Sequence, residues 1–149
     1  MSIIDYKNFF DFLKVRTKEN LPGLEAHQIM APSVGEEFFR TFTPSNNAYQ
    51  SAVLILFTLN IENELEILFT LRNSNLESHA GQISFPGGHS ENGESAIETA
   101  LRETNEETGI QSENIEIVGN LSKLYVFPSN TIITPIIGFI SEKPDLKIN

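Results

Sequence analysis

The stretch that most restricts the fold is residues 94–108, ESAIETALRETNEET, because it reads as a helix whose side chains need two opposite surroundings. At about 100° per residue, Glu103, Glu106 and Glu107 fall within roughly a third of the helix circumference. Ile97, Ala100, Leu101 and Thr104 occupy the adjoining arc. Such a helix must lay its apolar arc on a sheet and keep three carboxylates along the border of that contact. Gly109 follows where a left-handed helix cap is wanted.

The rest of the chain supplies the sheet. Ala52–Leu59, AVLILFTL, is a short continuous apolar run that reads as a buried strand, and Leu65–Leu71, LEILFTL, follows across a polar connection as its hairpin partner. Gln82–Phe85 reads as a short strand ending at Pro86-Gly87-Gly88. Residues 115–119, 121–127 and 131–140 have strand character, with Pro128-Ser129-Asn130 as a turn. Residues 5–19 place Phe9, Phe12, Leu13 and Arg16 at helical spacing before the Leu21-Pro22-Gly23 break, while 23–50 support only loop or short elements. The expected organisation is a single domain over 1–149, with a helix and loop extension at about residues 1–50.

Composition narrows the function classes. A chain of 149 residues with 40% hydrophobic content builds one core. Its formal charge of −10 repels a phosphate backbone, so no nucleic-acid partner is expected. The absence of Cys excludes disulfides, thiolate metal sites and cysteine nucleophiles. The N-terminus has no export-signal pattern, and no run approaches the ~20 apolar residues of a membrane span, so no membrane partner is expected. Together with the Asn- and Ile-rich composition, this points to a bacterial cytoplasmic protein.

Between Gly88 and Glu113 there are seven Glu and one basic residue, Arg102. A solvated acidic helix is the plain reading of such a cluster. Spacing favours another: like charges at i, i+3 and i+4 repel, and a hard divalent cation converts that repulsion into coordination. With no Cys and only His27, His79 and His89 available, an all-oxygen site suits Mg2+ or Mn2+ better than zinc. Arg102 lies beside Glu103 and one turn before Glu106, where its fork can orient a carboxylate or form an ordinary surface ion pair. Gly87 and Gly88 permit close backbone approach to a ligand.

Residues 88–110 resemble the Nudix box: Gly, five residues, Glu, seven residues, Arg-Glu, an apolar residue, any residue, Glu-Glu, any residue, Gly and an apolar residue. Here they are Gly88, Glu94, Arg102, Glu103, Thr104, Asn105, Glu106, Glu107, Thr108, Gly109 and Ile110, with Thr104 the single departure. The resemblance implies an α/β/α sandwich with a mixed sheet and metal-dependent hydrolysis of a nucleoside-diphosphate-linked small molecule. It implies Glu103, Glu106 and Glu107 as metal ligands, Glu103, Arg102 and Glu106 as the catalytic group, and Glu94 as their support. Members of the family normally continue to a further helix packed on the sheet. This chain stops nine residues after Ile140, so a truncated or reduced last layer is expected.

Residues 68–88 are similar to the signature that precedes the box in coenzyme A pyrophosphatases, matching at Leu68, Thr70, Arg72, Gly81, Phe85, Pro86, Gly87 and Gly88. That resemblance implies Arg72, Gly87 and Gly88 as substrate-binding residues and coenzyme A as substrate. Asn73 stands for a small Ser or Ala, and Glu77 for a second Arg, which replaces a charge-assisted hydrogen bond to a polyanion with repulsion. Another substrate such as ADP-ribose or a dinucleotide, and a non-catalytic nucleotide-binding module, are the competing readings.

Overall fold

A computed structural model of the chain describes residues 6–30, 43–71 and 81–146. Its centre is a parallel pair, β1 (Tyr49–Leu59) and β8 (Thr131–Phe139), in register from Tyr49↔Thr131 to Phe57↔Phe139. Both strands are covered on two faces, which is why their sequences are almost continuously apolar. Strand β1 starts three residues earlier than the apolar run implies, because Tyr49, Gln50 and Ser51 already pair with β8.

Each outer edge of this pair is shared by two short strands. Along β1, β2 (Leu65–Ile67) takes the C-terminal half and β5 (Gly87–His89) the N-terminal half, both antiparallel. Between them the ladder is continued by Leu54 N–H to the Pro86 carbonyl and Leu68 N–H to the Leu56 carbonyl. The expected strand 65–71 is therefore divided. The chain leaves the edge after Leu68, and β3 (Thr70–Leu71) pairs with β4 (Ile83–Ser84) in a separate ribbon. Along β8, β6 (Glu116–Asn120) and β7 (Leu124–Val126) share the edge in the same way. The β1–β2 hairpin matches expectation: Asn60 Oδ1 accepts from the N–H groups of Glu62 and Glu64, and Asn63 adopts a left-handed φ of 58°.

Alternation along the central strands sends side chains to two cores. Ala52, Leu54, Leu56, Ile136 and Ile140 meet Ala100 and Ile110 beneath helix α3 (Ala96–Thr108). Leu59, Val118, Ile137 and Phe139 meet Phe10 of helix α1 (Tyr6–Arg16) on the other face. The result is the expected helix–sheet–helix sandwich. Helix α2 (Leu24–Met30) is a short element within 23–50, and a 3-10 turn at Ser112–Asn114 is an addition to the expected pattern.

Two apolar assignments are corrected. On α1 the buried face is Tyr6, Phe9, Phe10 and Leu13, and Phe12 is exposed. The spacing i, i+3, i+4, i+7 fits that set as well as the expected one, and the Phe10 ring, 4.3 Å from that of Phe139, settles the phase. On α3, Ile97 faces solvent and the first turn is buried through Ala96 and Thr99 instead.

Phe10→Ala should lower the unfolding free energy by about 3–5 kcal/mol, measured by chemical denaturation. A loss below ~1 kcal/mol would mean that α1 is not docked in this way.

Candidate active site

Helix α3 is locally well specified at both ends. Ser95 is its N-cap, its Oγ accepting from Glu98 N–H while the Glu98 carboxylate accepts from Ser95 N–H. The Ser95 backbone N–H first, and the Ser95 hydroxyl second, hold the Glu98 carboxyl below its ordinary range. At the other end Gly109 has the expected left-handed φ of 76°, and its N–H donates to the Asn105 carbonyl. The helix starts two residues later than the pattern implies, leaving Glu94 in the loop before the cap. The Ser-x-x-Glu capping box was readable in the sequence as the start signal.

The position of Glu94 lets it face Arg102 across the first turns. Arg102 Nε donates to Glu94 Oε1 at 2.7 Å and Nη2 to Glu94 Oε2 at 3.1 Å, a two-pronged pair. Nη2 also donates to the His89 carbonyl at 2.9 Å, tying the helix to β5. Nη1 donates to Glu103 Oε1 at 3.0 Å and approaches Glu106 Oε2 at 3.3 Å. One guanidinium thus orders three carboxylates and a strand carbonyl. Glu94 also accepts from Glu91 N–H and Thr99 Oγ1. Arg102 first, then the Glu91 amide, hold its carboxyl down at about 2, partial burial opposing them. Reciprocally, Glu94 first and then Glu103 raise the Arg102 pKa further against desolvation, so it is a permanent cation.

The two glycines of β5 serve different needs. A Cβ on Gly87 would fall on the β1 backbone at Ala52 and Val53, so only glycine fits the β1–β5 ladder there. A Cβ on Gly88 would fall on the Glu103 carboxylate, so the bare strand lets that side chain lie against it. The neighbouring His89 accepts or donates through Nδ1 to Ser51 Oγ at 2.9 Å. Arg72, Asn73, Glu77 and His79 lie outside the described residues.

Glu103, Glu106 and Glu107 share the border of α3 as the spacing predicts, but they are not gathered into a metal-ready cluster. Among the described residues no group of three or more His, Asp or Glu side chains is placed to hold an ion together. Glu103 and Glu106 instead both face Nη1 of Arg102, which takes the place between them. The donor set still fits a hard divalent cation. All three groups offer carboxylate oxygens, Glu106 is exposed enough to turn, and Oε2 of Glu107 is buried and accepts no hydrogen bond while the side chain interacts elsewhere.

The NUDIX domain profile matches residues 48–142, from the start of β1 to just past β8. The chain belongs to the Nudix family. Nudix hydrolase 3 of Caenorhabditis elegans is 39% identical over 100 residues, covering 66% of this chain and 42% of the relative. An uncharacterized Nudix hydrolase, NudL, of Yersinia enterocolitica is 39% identical over 99 residues, covering 66% of this chain and 49% of the relative. The peroxisomal coenzyme A diphosphatase NUDT7 of Mus musculus is 36% identical over 78 residues, covering 52% of this chain and 33% of the relative. The chain thus spans half or less of the length of these curated relatives. Among solved structures, the Nudix hydrolase RenU of M. smegmatis superposes with a TM-score of 0.59 at 17% identity, over 68% of this chain and 65% of that one. The C. elegans Ap4A hydrolase gives 0.56 at 19% identity, over 68% and 75%. At such identities these structures establish the Nudix fold alone.

One feature of this Nudix site escaped the sequence reading. Thr99 and Ser90 join the Glu94 network through Thr99 Oγ1, and no simple periodicity marks them. The single departure from the box, Thr104, is fully buried and donates its hydroxyl to the Ala100 carbonyl at 2.7 Å, so it keeps an apolar methyl for packing without an unsatisfied polar group.

Two outcomes follow from this geometry. Gly88→Ala should displace the Glu103 carboxylate while leaving unfolding cooperative, whereas Gly87→Ala should weaken β1–β5 pairing, seen as faster amide exchange at Leu54 and Ser90, whose N–H groups donate across it. Equal exchange in the two variants would contradict the division of roles. Because the Glu94 pKa falls from an ordinary 4.5 to about 2 on folding, its stabilisation is present above pH 4.5 and is lost as pH falls toward 2. The stability difference between the unsubstituted chain and Glu94→Gln should therefore be largest above pH 4.5 and shrink toward pH 2 in denaturant titrations. A pH-independent difference would rule out the carboxylate as its source.

Proposed function

We propose that this Nudix domain hydrolyses a nucleoside diphosphate linked to another moiety, with coenzyme A or a derivative as its first substrate, giving 3',5'-ADP and 4'-phosphopantetheine. The observation that carries the hydrolase reading is the Arg102 clamp. It orders Glu94, Glu103 and Glu106 within a complete set of box carboxylates beside the bare Gly88 backbone. The substrate reading is supported by the coenzyme A pyrophosphatase signature over residues 68–88 and by the similarity to the mouse coenzyme A diphosphatase.

Glu103, Glu106 and Glu107 would hold Mg2+ or Mn2+, which supplies charge neutralisation and Lewis acidity at the diphosphate. The protein groups do the rest. Glu103, lodged against Gly88 and steadied by Arg102, orients a water and takes its proton as the water oxygen bonds to phosphorus. The bridging P–O bond breaks and the second phosphate departs with its electron pair. Arg102, kept in place by Glu94, fixes the base and offsets part of the negative charge. Arg72 and the Gly87–Gly88 backbone bind the substrate phosphates. No covalent intermediate is required.

The competing substrate class is another nucleotide diphosphate such as ADP-ribose or a dinucleotide, favoured by Glu77 standing where the signature has Arg.

The test is turnover of coenzyme A, ADP-ribose and a dinucleotide with Mg2+ or Mn2+, products separated by ion-exchange chromatography. Coenzyme A should be preferred, Glu77→Arg should raise its turnover, and Glu103→Gln and Glu107→Gln should each lower kcat by about 10²–10⁴. Equal use of coenzyme A and ADP-ribose would sink the substrate assignment. Unchanged turnover in both glutamine variants would sink the site.

A further inference from the structure

We infer that Thr99 is a positioning residue for the proposed reaction, its buried hydroxyl fixing the Glu94 carboxylate that aims the Arg102 guanidinium. The inference rests on that functional reading and extends it to one of the seven positions between Glu94 and Arg102 that the box leaves open.

Thr99 is wholly buried. Its Oγ1 lies 2.9 Å from Ser90 Oγ, 3.0 Å from Glu94 Oε2 and 3.1 Å from the Ser95 carbonyl. One hydroxyl proton cannot serve three acceptors, and the carboxylate is the strongest of them. The other buried threonines of α3 behave differently. Thr104 and Thr108 give their protons to the carbonyls four residues back at 2.7 and 2.6 Å, the ordinary fate of a helical threonine. In Thr99 that distance has lengthened to 3.1 Å and the hydroxyl reaches forward into the loop.

The loop contacts give the hydroxyl leverage. Ser90 N–H donates to the Gln50 carbonyl, so Ser90 is fixed to the start of the main sheet. Glu94 Oε2 accepts from Thr99 Oγ1 on the helix, from Glu91 N–H in the loop and from Arg102 Nη2, while Oε1 accepts from Arg102 Nε. With Thr99 and Glu91 holding one oxygen, the carboxylate is set so that Nε and Nη2 of Arg102 are both received. If the carboxylate turns, Nη1 loses its aim at Glu103, the group proposed to handle the water. A valine at 99 keeps the volume and sets a methyl against a carboxylate oxygen, leaving a polar group short of a donor.

The test compares the unsubstituted chain with Thr99→Val and Thr99→Ser by turnover of coenzyme A and ADP-ribose with Mg2+ and by nitrogen-detected NMR of the arginine Nε–H groups. The Arg102 signal is assigned as the one lost in Arg102→Lys. A clamped Arg102 gives an exchange-protected Nε–H. Thr99→Val should abolish that protection and lower kcat about tenfold with KM little changed, the pattern of a group supporting the transition state through a neighbour. Thr99→Ser, which keeps the hydroxyl, should restore both. The inference is overturned by a protected Arg102 Nε–H in Thr99→Val, by an unprotected one in the unsubstituted chain, by full turnover in Thr99→Val, or by a serine variant as impaired as the valine one. If the unsubstituted chain cleaves neither substrate, the functional reading fails separately, and the Nε–H comparison alone decides the role of Thr99.

Discussion

The parallel ladder between β1 and β8 is the constraint to which the rest of this domain answers. Two neighbouring parallel strands cannot be joined by a tight turn, so the chain between them must be disposed around them before β8 can form. That intervening chain fills both outer edges, first with β2 and β5 along β1, then with β6 and β7 along β8, and lays α3 across one face. With α1 on the other face, the apolar strands are enclosed. Because β5 pairs with one of the two central strands, the loop and helix that follow it are fixed to the main sheet. A site built from Gly88, Glu94 and α3 shares that attachment.

Electrostatics then decides how the acidic border is held. Arg102 and its main partners are largely withdrawn from water, with 24% of the Arg102 side chain and 18% of Glu94 exposed. At that depth an ion pair has to recover a desolvation cost, which the two-pronged geometry and the additional hydrogen bonds to Glu94 offset. Glu106, at 58% exposure, gains little from its longer contact. A single guanidinium among three carboxylates leaves the cluster anionic. The arrangement is organised enough to orient Glu103 and still attractive to a cation.

How much of this was legible from sequence follows from the range of the forces involved. The helix border, the Gly109 cap, the hairpin at Asn60 and the apolar strands were readable because periodicity and turn chemistry act over a few residues. The division of 65–71 into two strands was not, because it depends on β5 taking the next stretch of the same edge, a contact between residues more than thirty apart. The phase of α1 was ambiguous for the same reason: Phe10 and Phe12 are equivalent until Phe139 is beside one of them. Within the site, the box glutamates were found by spacing, whereas Thr99 was not, since a buried threonine in a helix looks like packing until its hydroxyl partner is known. Helical spacing puts Glu103, Glu106 and Glu107 on one border, but it fixes only where the side chains start; that Arg102 Nη1 contacts both Glu103 and Glu106 depends on side-chain conformations that spacing does not carry.

Helix α3 shows where local stability and chemistry part company. Its N-terminus has a complete capping box and its C-terminus a left-handed glycine, both arrangements that stabilise a helix by about 1 kcal/mol. Its last turn, by contrast, carries Glu106 and Glu107 and no basic residue. Carboxylates there oppose the negative end of the helix dipole, at about 0.3–1 kcal/mol each, and add repulsion to Glu103 and to one another. Good caps on a helix with an unfavourable interior mean that the fold tolerates the carboxylates and does not depend on them. The same conflict distinguishes this segment from a solvated acidic helix, which has no reason to point one carboxylate oxygen into a buried position or to hold another against a bare glycine. Where local preference and observed structure disagree at several neighbouring positions, the site itself is the most economical cause.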